Sequence, residues 1–154
     1  MFSEKIRMLR QERKMSQPAV AAEMGLSMRG YQNLELGAVP RYSSLLCVAN
    51  FYNVSADWLM GRTEKRETQS KSPILNQQET VAMTFAEKIR MLRIERNLSQ
   101  TAAGEGMGLS MRGLQDIELG KLPRYESLLR IADFYDVSID WLMGRTERRD
   151  AHRL

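Results

Sequence analysis

The stretch SQPAVAAEMGLSMRGYQNLELG, Ser16 to Gly37, reads as two short amphipathic helices joined by a tight turn. Ser16 can cap the first, Gln17 to Met24, by accepting a hydrogen bond from a free backbone N–H, and Gly25 can end it. Ser27 can cap the second, Met28 to Leu36, which Gly37 and Pro40 stop. Ala21 is small where the helices must cross, and Val20, Met24, Leu26, Tyr31 and Leu34 supply their shared apolar contacts.

Outward from this pair the same helical spacing continues, and no stretch alternates with the period of a strand. Phe2, Ile6, Leu9 and Arg13 mark one face of a preceding helix. A fourth helix runs from about Tyr42 to Tyr52, with Leu45, Val48, Ala49 and Tyr52 inward. Ser55 caps a short fifth containing Trp58 and Leu59, ended by Gly61, with Asp57 at the positive end of its dipole.

The whole pattern recurs. Phe2 to Arg66 align without a gap on Phe85 to Arg149 at an offset of 83, with about two-thirds of positions identical. Two copies are too few for a solenoid, and two small globules fit better, each burying roughly 60% of its unfolded surface. The predicted organisation is all-α: a five-helix domain at 1–66, a linker at 67–84, a second domain at 85–149 and a tail at 150–154. The linker reads either as a flexible tether or as a short helix opened by Ser72 and Pro73.

Composition narrows the chemistry. The 154 residues are 43% hydrophobic and 27% charged, as in a folded soluble protein, and no apolar run approaches the roughly 20 residues needed to cross a bilayer. The opening residues lack the apolar core of a secretion signal, and Cys47, a lone cysteine, has no partner for an internal disulfide, so the expected compartment is the cytoplasm. With one His and one Cys, the ordinary zinc sites and Ser-His-Asp or Cys-His catalytic sets are ruled out within one chain, so no enzyme, metal or cofactor is expected. The net charge of +4 leans toward a polyanionic partner. Residues 1–66 carry ten Lys/Arg against six Asp/Glu, whereas 85–149 carry eleven against ten, so the first copy holds the positive excess.

With the landmarks Ser16-Gln17, Gly25 to Ser27, Leu34 to Gly37 and Ser44 to Gly61 in place, the sequence resembles the phage-repressor/Cro-like, or xenobiotic-response-element type, helix-turn-helix family. The second copy carries them at Ser99-Gln100, Gly108 to Ser110, Ile117 to Gly120 and Ser127 to Gly144, so the likeness covers everything but linker and tail. It implies two tandem lambda-repressor-like domains binding double-stranded DNA, each third helix lying in the major groove.

Carried over residue by residue, the base-reading positions are Met28, Arg29, Gln32 and Asn33, then Met111, Arg112, Gln115 and Asp116. The chemistry agrees: Arg grips guanine O6 and N7, Gln or Asn pairs with adenine N6 and N7, and Met touches a thymine methyl. Ser16, Gln17, Arg41, Ser99, Gln100 and Arg124 are the phosphate candidates, Gln17 because it opens a helix whose free N–H groups favour an anion. The likeness also implies structural ion pairs, Arg10 with Glu35 and Arg93 with Glu118.

The copies diverge where Asn33 becomes Asp116, which accepts from cytosine N4 but is repelled by phosphate. Gly104 and Gly106 interrupt the second copy's second helix at about 1 kcal/mol each relative to Ala. That copy is therefore expected to be the weaker reader. Gly30 and Gly113 sit inside the third helices, explained either by close approach to DNA or as tolerated imperfections. Eighteen linker residues reach roughly 23 Å as a flexible coil and near 60 Å extended. The two copies can thus share one site without being forced to. The leading expectation is a transcriptional repressor on two related half-sites; the alternative is a protein-interaction module, antitoxin-like or co-regulatory, with the second copy used for assembly. Whether the chain pairs with itself stays open.

Overall fold

A computed structural model describes residues 1–68 and 83–153. Among them are ten helices and no strand: α1 Phe2–Glu12, α2 Gln17–Glu23, α3 Met28–Glu35, α4 Tyr42–Tyr52 and α5 Ala56–Leu59, then α6 Phe85–Glu95, α7 Gln100–Met107, α8 Met111–Glu118, α9 Tyr125–Tyr135 and α10 Ile139–Leu142. They fall into two units, Met1–Glu67 and Thr68–Leu154. The segment in which Ser72 and Pro73 open the alternative linker helix lies outside the described residues.

Local chemistry sets these boundaries. The hydroxyls of Ser16, Ser27 and Ser55 accept from the backbone N–H of Ala19, Gly30 and Trp58, and Ser99, Ser110 and Ser138 do the same in the second unit. Thr84, the last residue assigned to the linker, instead caps α6 reciprocally with Glu87. Between α2 and α3, Gly25 takes φ +67°, a left-handed conformation costly for any residue with a Cβ, and the chain reverses there. Leu26 N–H then donates to Ala21 C=O at 2.9 Å, closing the turn.

In the first unit the core is formed by Ile6, Leu9, Val20, Ala21, Tyr31, Leu34, Leu45, Val48, Ala49, Trp58 and Leu59, all buried. Each large apolar side chain so buried contributes about 1.5–3 kcal/mol. One tryptophan anchors each unit. Lys5 Nζ lies 4.8 Å and Arg66 5.7 Å from the Trp58 ring, and Lys88 lies 5.0 Å and Arg149 5.6 Å from Trp141.

Asp57 is more than a dipole partner: it is fully buried and forms an ion pair with Arg62, as Asp140 does with Arg145. His152 and Arg149 are both held by acids. The His152 side chain is 8% exposed, with Nε2 2.8 Å from Asp136 Oδ1, and Arg149 forks onto Glu95. Gly30 and Gly113 have a local reason beside the two weighed, since a Cβ at either would come within about 3 Å of the serine hydroxyl that caps its own helix.

Candidate nucleic-acid interface

One side of α3 is sealed by Tyr31, Leu34 and Glu35, which leaves the opposite side to the residues between them. Met28 is 47% exposed, Arg29 and Asn33 are exposed, and Gln32 is half-buried at the margin. In α8 the equivalents hold, with Met111 49% exposed, Arg112 exposed, and Gln115 and Asp116 half-buried. Ser16, Arg41, Ser99 and Arg124 lie exposed beside these rows in sequence, whereas Gln17 and Gln100 are half-buried.

What fixes α3 is an acid beneath it. Glu35, its side chain 2% exposed, accepts from Arg10 in a fork, Nε to Oε1 at 2.7 Å and Nη2 to Oε2 at 3.1 Å. Arg10 also donates to the Met15 carbonyl, and Arg7 donates to the Glu35 carbonyl at 3.0 Å, so α1 holds the end of α3 by side chain and backbone together. Burial alone pushes the Glu35 pKa up. Hydrogen bonds from Arg10, Gln17 and Tyr31, with the arginine's charge, outweigh it and hold the carboxyl below its ordinary value. In the second unit Glu118 is built alike, forked by Arg93 at 2.6 and 3.3 Å with Arg90 on its carbonyl, and its pKa is also lowered.

From each glutamate a line of amides runs outward. Gln17 Nε2 donates to Glu35 Oε2 at 2.7 Å, and Gln32 Nε2 donates to Gln17 Oε1 at 3.3 Å. The second unit repeats it: Gln100 donates to Glu118 at 2.9 Å and Gln115 to Gln100 at 3.2 Å. The first glutamine of α2 or α7 thus bridges the buried acid to a base-reading candidate, a link that sequence reasoning missed. Arg7 was missed as well, although it sits one turn before Arg10 on the same face and recurs as Arg90. Arg13, the residue that follows α1, stacks on Phe51 and Tyr52 at 4.8 and 4.9 Å.

The units differ around this common plan. Asp116 lies 3.8 Å from Lys121, where the first unit has Asn33 and Ala38. Thr101 donates to the Met111 sulfur, a contact that Pro18 cannot make to Met28. The Tyr31 and Tyr52 hydroxyls meet at 3.2 Å, but Leu114 replaces the former, and the buried Tyr135 hydroxyl has no hydrogen-bond partner among the described residues. Gly106 lets the Phe134 ring press on α7 where a Cβ would come within 2.5 Å of it. Cys47 Sγ donates to the Met24 carbonyl and its equivalent Arg130 to the Gly108 carbonyl, so two unlike side chains serve the same end of the second helix. No helix among the described residues is long and apolar enough to cross a membrane.

A helix-turn-helix domain family matches residues 3–65 and a second helix-turn-helix family matches 89–142. The chain is 32% identical over 83 residues to the uncharacterized HTH-type transcriptional regulator YqaE of Bacillus subtilis, covering 52% of this chain and 72% of that protein. It is 36% identical over 64 residues to RstR, the cryptic phage CTXphi transcriptional repressor of Vibrio cholerae, covering 41% of this chain and 58% of the repressor. No solved structure matches the chain at a significant level.

Proposed function

Because the chain belongs to the helix-turn-helix family of DNA-binding transcriptional regulators, we propose that it is a repressor that occupies two related half-sites on double-stranded DNA, one with each domain. The observation that carries this reading is the outward row Met28, Arg29, Gln32 and Asn33, matched by Met111, Arg112, Gln115 and Asp116, each on a helix locked to its scaffold by a buried glutamate. Laid in a major groove, Arg29 and Arg112 take guanine O6 and N7, and the amides of Gln32, Asn33 and Gln115 take adenine edges. Ser16, Gln17, Arg41 and their equivalents Ser99, Gln100 and Arg124 set the register on phosphates. The name of the phage relative, a transcriptional repressor, supports repression.

The test is selection of bound duplexes from a random pool with the full chain, then with R29A and with R112A. Each variant should lose about 1–3 kcal/mol of discrimination at one position of a different half-site, and affinity should fall steeply with salt as counterions are released. Equal losses on selected and random duplexes would remove the readout assignment. A stoichiometric protein partner with no duplex selected would favour the assembly role instead.

A further inference from the structure

We propose that Glu35 and Glu118 are positioning residues for base recognition, each dictating through one glutamine which way the base-facing amide of Gln32 or Gln115 presents its donor and acceptor. This rests on the reading of α3 and α8 as the DNA-facing helices and adds what orients one of their readers.

The argument follows from what each group can do. An ionised carboxylate only accepts, so the Gln17 atom 2.7 Å from Glu35 Oε2 has to be the amide nitrogen. That choice leaves the Gln17 oxygen at the other end. An oxygen demands a donor, so the Gln32 atom 3.3 Å away has to be nitrogen as well. The glutamate thus settles both flips in sequence, whichever way either amide would turn alone. Gln32 is left with a whole carbonyl oxygen and one N–H outside the relay, a fixed acceptor-donor pair suited to adenine N6–H and N7. Freed to rotate, the same amide can offer N–H groups to guanine O6 or thymine O4, and discrimination collapses. The Arg10 fork, which occupies both carboxylate oxygens, keeps the acid itself from swinging. Arg93, Glu118, Gln100 and Gln115 reproduce every link, while α7 differs from α2 at most positions after its opening Gln.

The experiment uses the full chain and measures base preference position by position on the selected duplex for wild type, Q32A, E35Q and Q17L. Q32A identifies the base pair that Gln32 reads. E35Q keeps the shape but leaves one oxygen to accept one arm of the arginine fork, and it puts an amide N–H that can donate where an acid oxygen was, so the direction of the relay is no longer imposed. Q17L cuts the relay and leaves Glu35 paired with Arg10, a second route should E35Q not fold. Both should lower preference at the Gln32 base pair by roughly tenfold, and leave the preference read by Arg29 intact. In the free protein, Q17L should also remove the slowed solvent exchange of the Gln32 side-chain amide protons. If wild type and Q32A define that base pair but E35Q and Q17L preserve its preference, the relay is wrong and the DNA reading stands. If wild type selects no duplex, both fall together.

Discussion

The second unit keeps the first unit's buried acid, line of amides and cation-flanked tryptophan, yet it discards the tyrosine pair behind α3, the asparagine on its outward face and the alanine at the helix crossing. Positions kept in both are those where one group answers several others, as Glu35 and Glu118 each answer an arginine fork and a glutamine. Positions that drift do so in different ways: Asp116 comes with a new Lys121, Gly106 makes room for the ring of Phe134, and Leu114 gives up the hydroxyl by which Tyr31 meets Tyr52. Burial alone does not separate the two sets, since Tyr31 is fully buried and is exchanged whereas the buried glutamate with its arginine fork and glutamine is retained.

The largest effect should come from breaking the shared feature. E35A or E118A leaves a largely buried guanidinium without its acid and should destabilise the affected unit by about 3–5 kcal/mol, read as lost amide-exchange protection confined to that half. Both carboxyls titrate below their ordinary 4.5, so the unfolded chain takes up protons more readily than the folded one. Their stabilisation is therefore complete above about pH 4.5 and decays as pH falls through the folded pKa values. Wild type should lose stability over that range, whereas E35Q should flatten the part of the pH response owed to the first unit. Equal acid sensitivity in wild type and E35Q would show that other carboxylates govern it.

Next in size is the difference on the outward face. D116N should move the second domain's preference from cytosine toward adenine by about 1–3 kcal/mol at one base pair and leave the first domain's half-site as it was. An unaltered preference would mean that the Lys121 pair holds residue 116 away from the groove. The smallest effect concerns the tyrosines. Y52F removes one side of a buried hydroxyl pair and should cost about 0.5–1.5 kcal/mol, whereas Y135F deletes a hydroxyl already without its partner and should be neutral or stabilise by about 1 kcal/mol. Equal costs in denaturant titrations would overturn this account of the divergence.

Helix ends, the apolar faces and the duplication were legible because each is written in neighbouring residues: a serine three positions before the N–H it caps, a glycine where φ turns positive, an apolar side chain every three or four positions. The outward face of α3 was legible too, as the complement of Tyr31 and Leu34. Links between elements were not. Nothing in local spacing says that Gln17 reaches both Glu35 and Gln32, that Arg13 lies over the rings of Phe51 and Tyr52, or that His152 returns to Asp136, because each depends on how whole helices dock. Asp57 misled in an instructive way, since a helix-opening acid looks the same in sequence whether it faces water or a buried arginine five residues on.

Each half carries a single indole with a lysine and an arginine over its ring. Unfolding disperses those cations, so intrinsic fluorescence should change when either domain opens. Replacing Trp58 or Trp141 by phenylalanine would then silence one half and leave the other as its own optical reporter, with no added label.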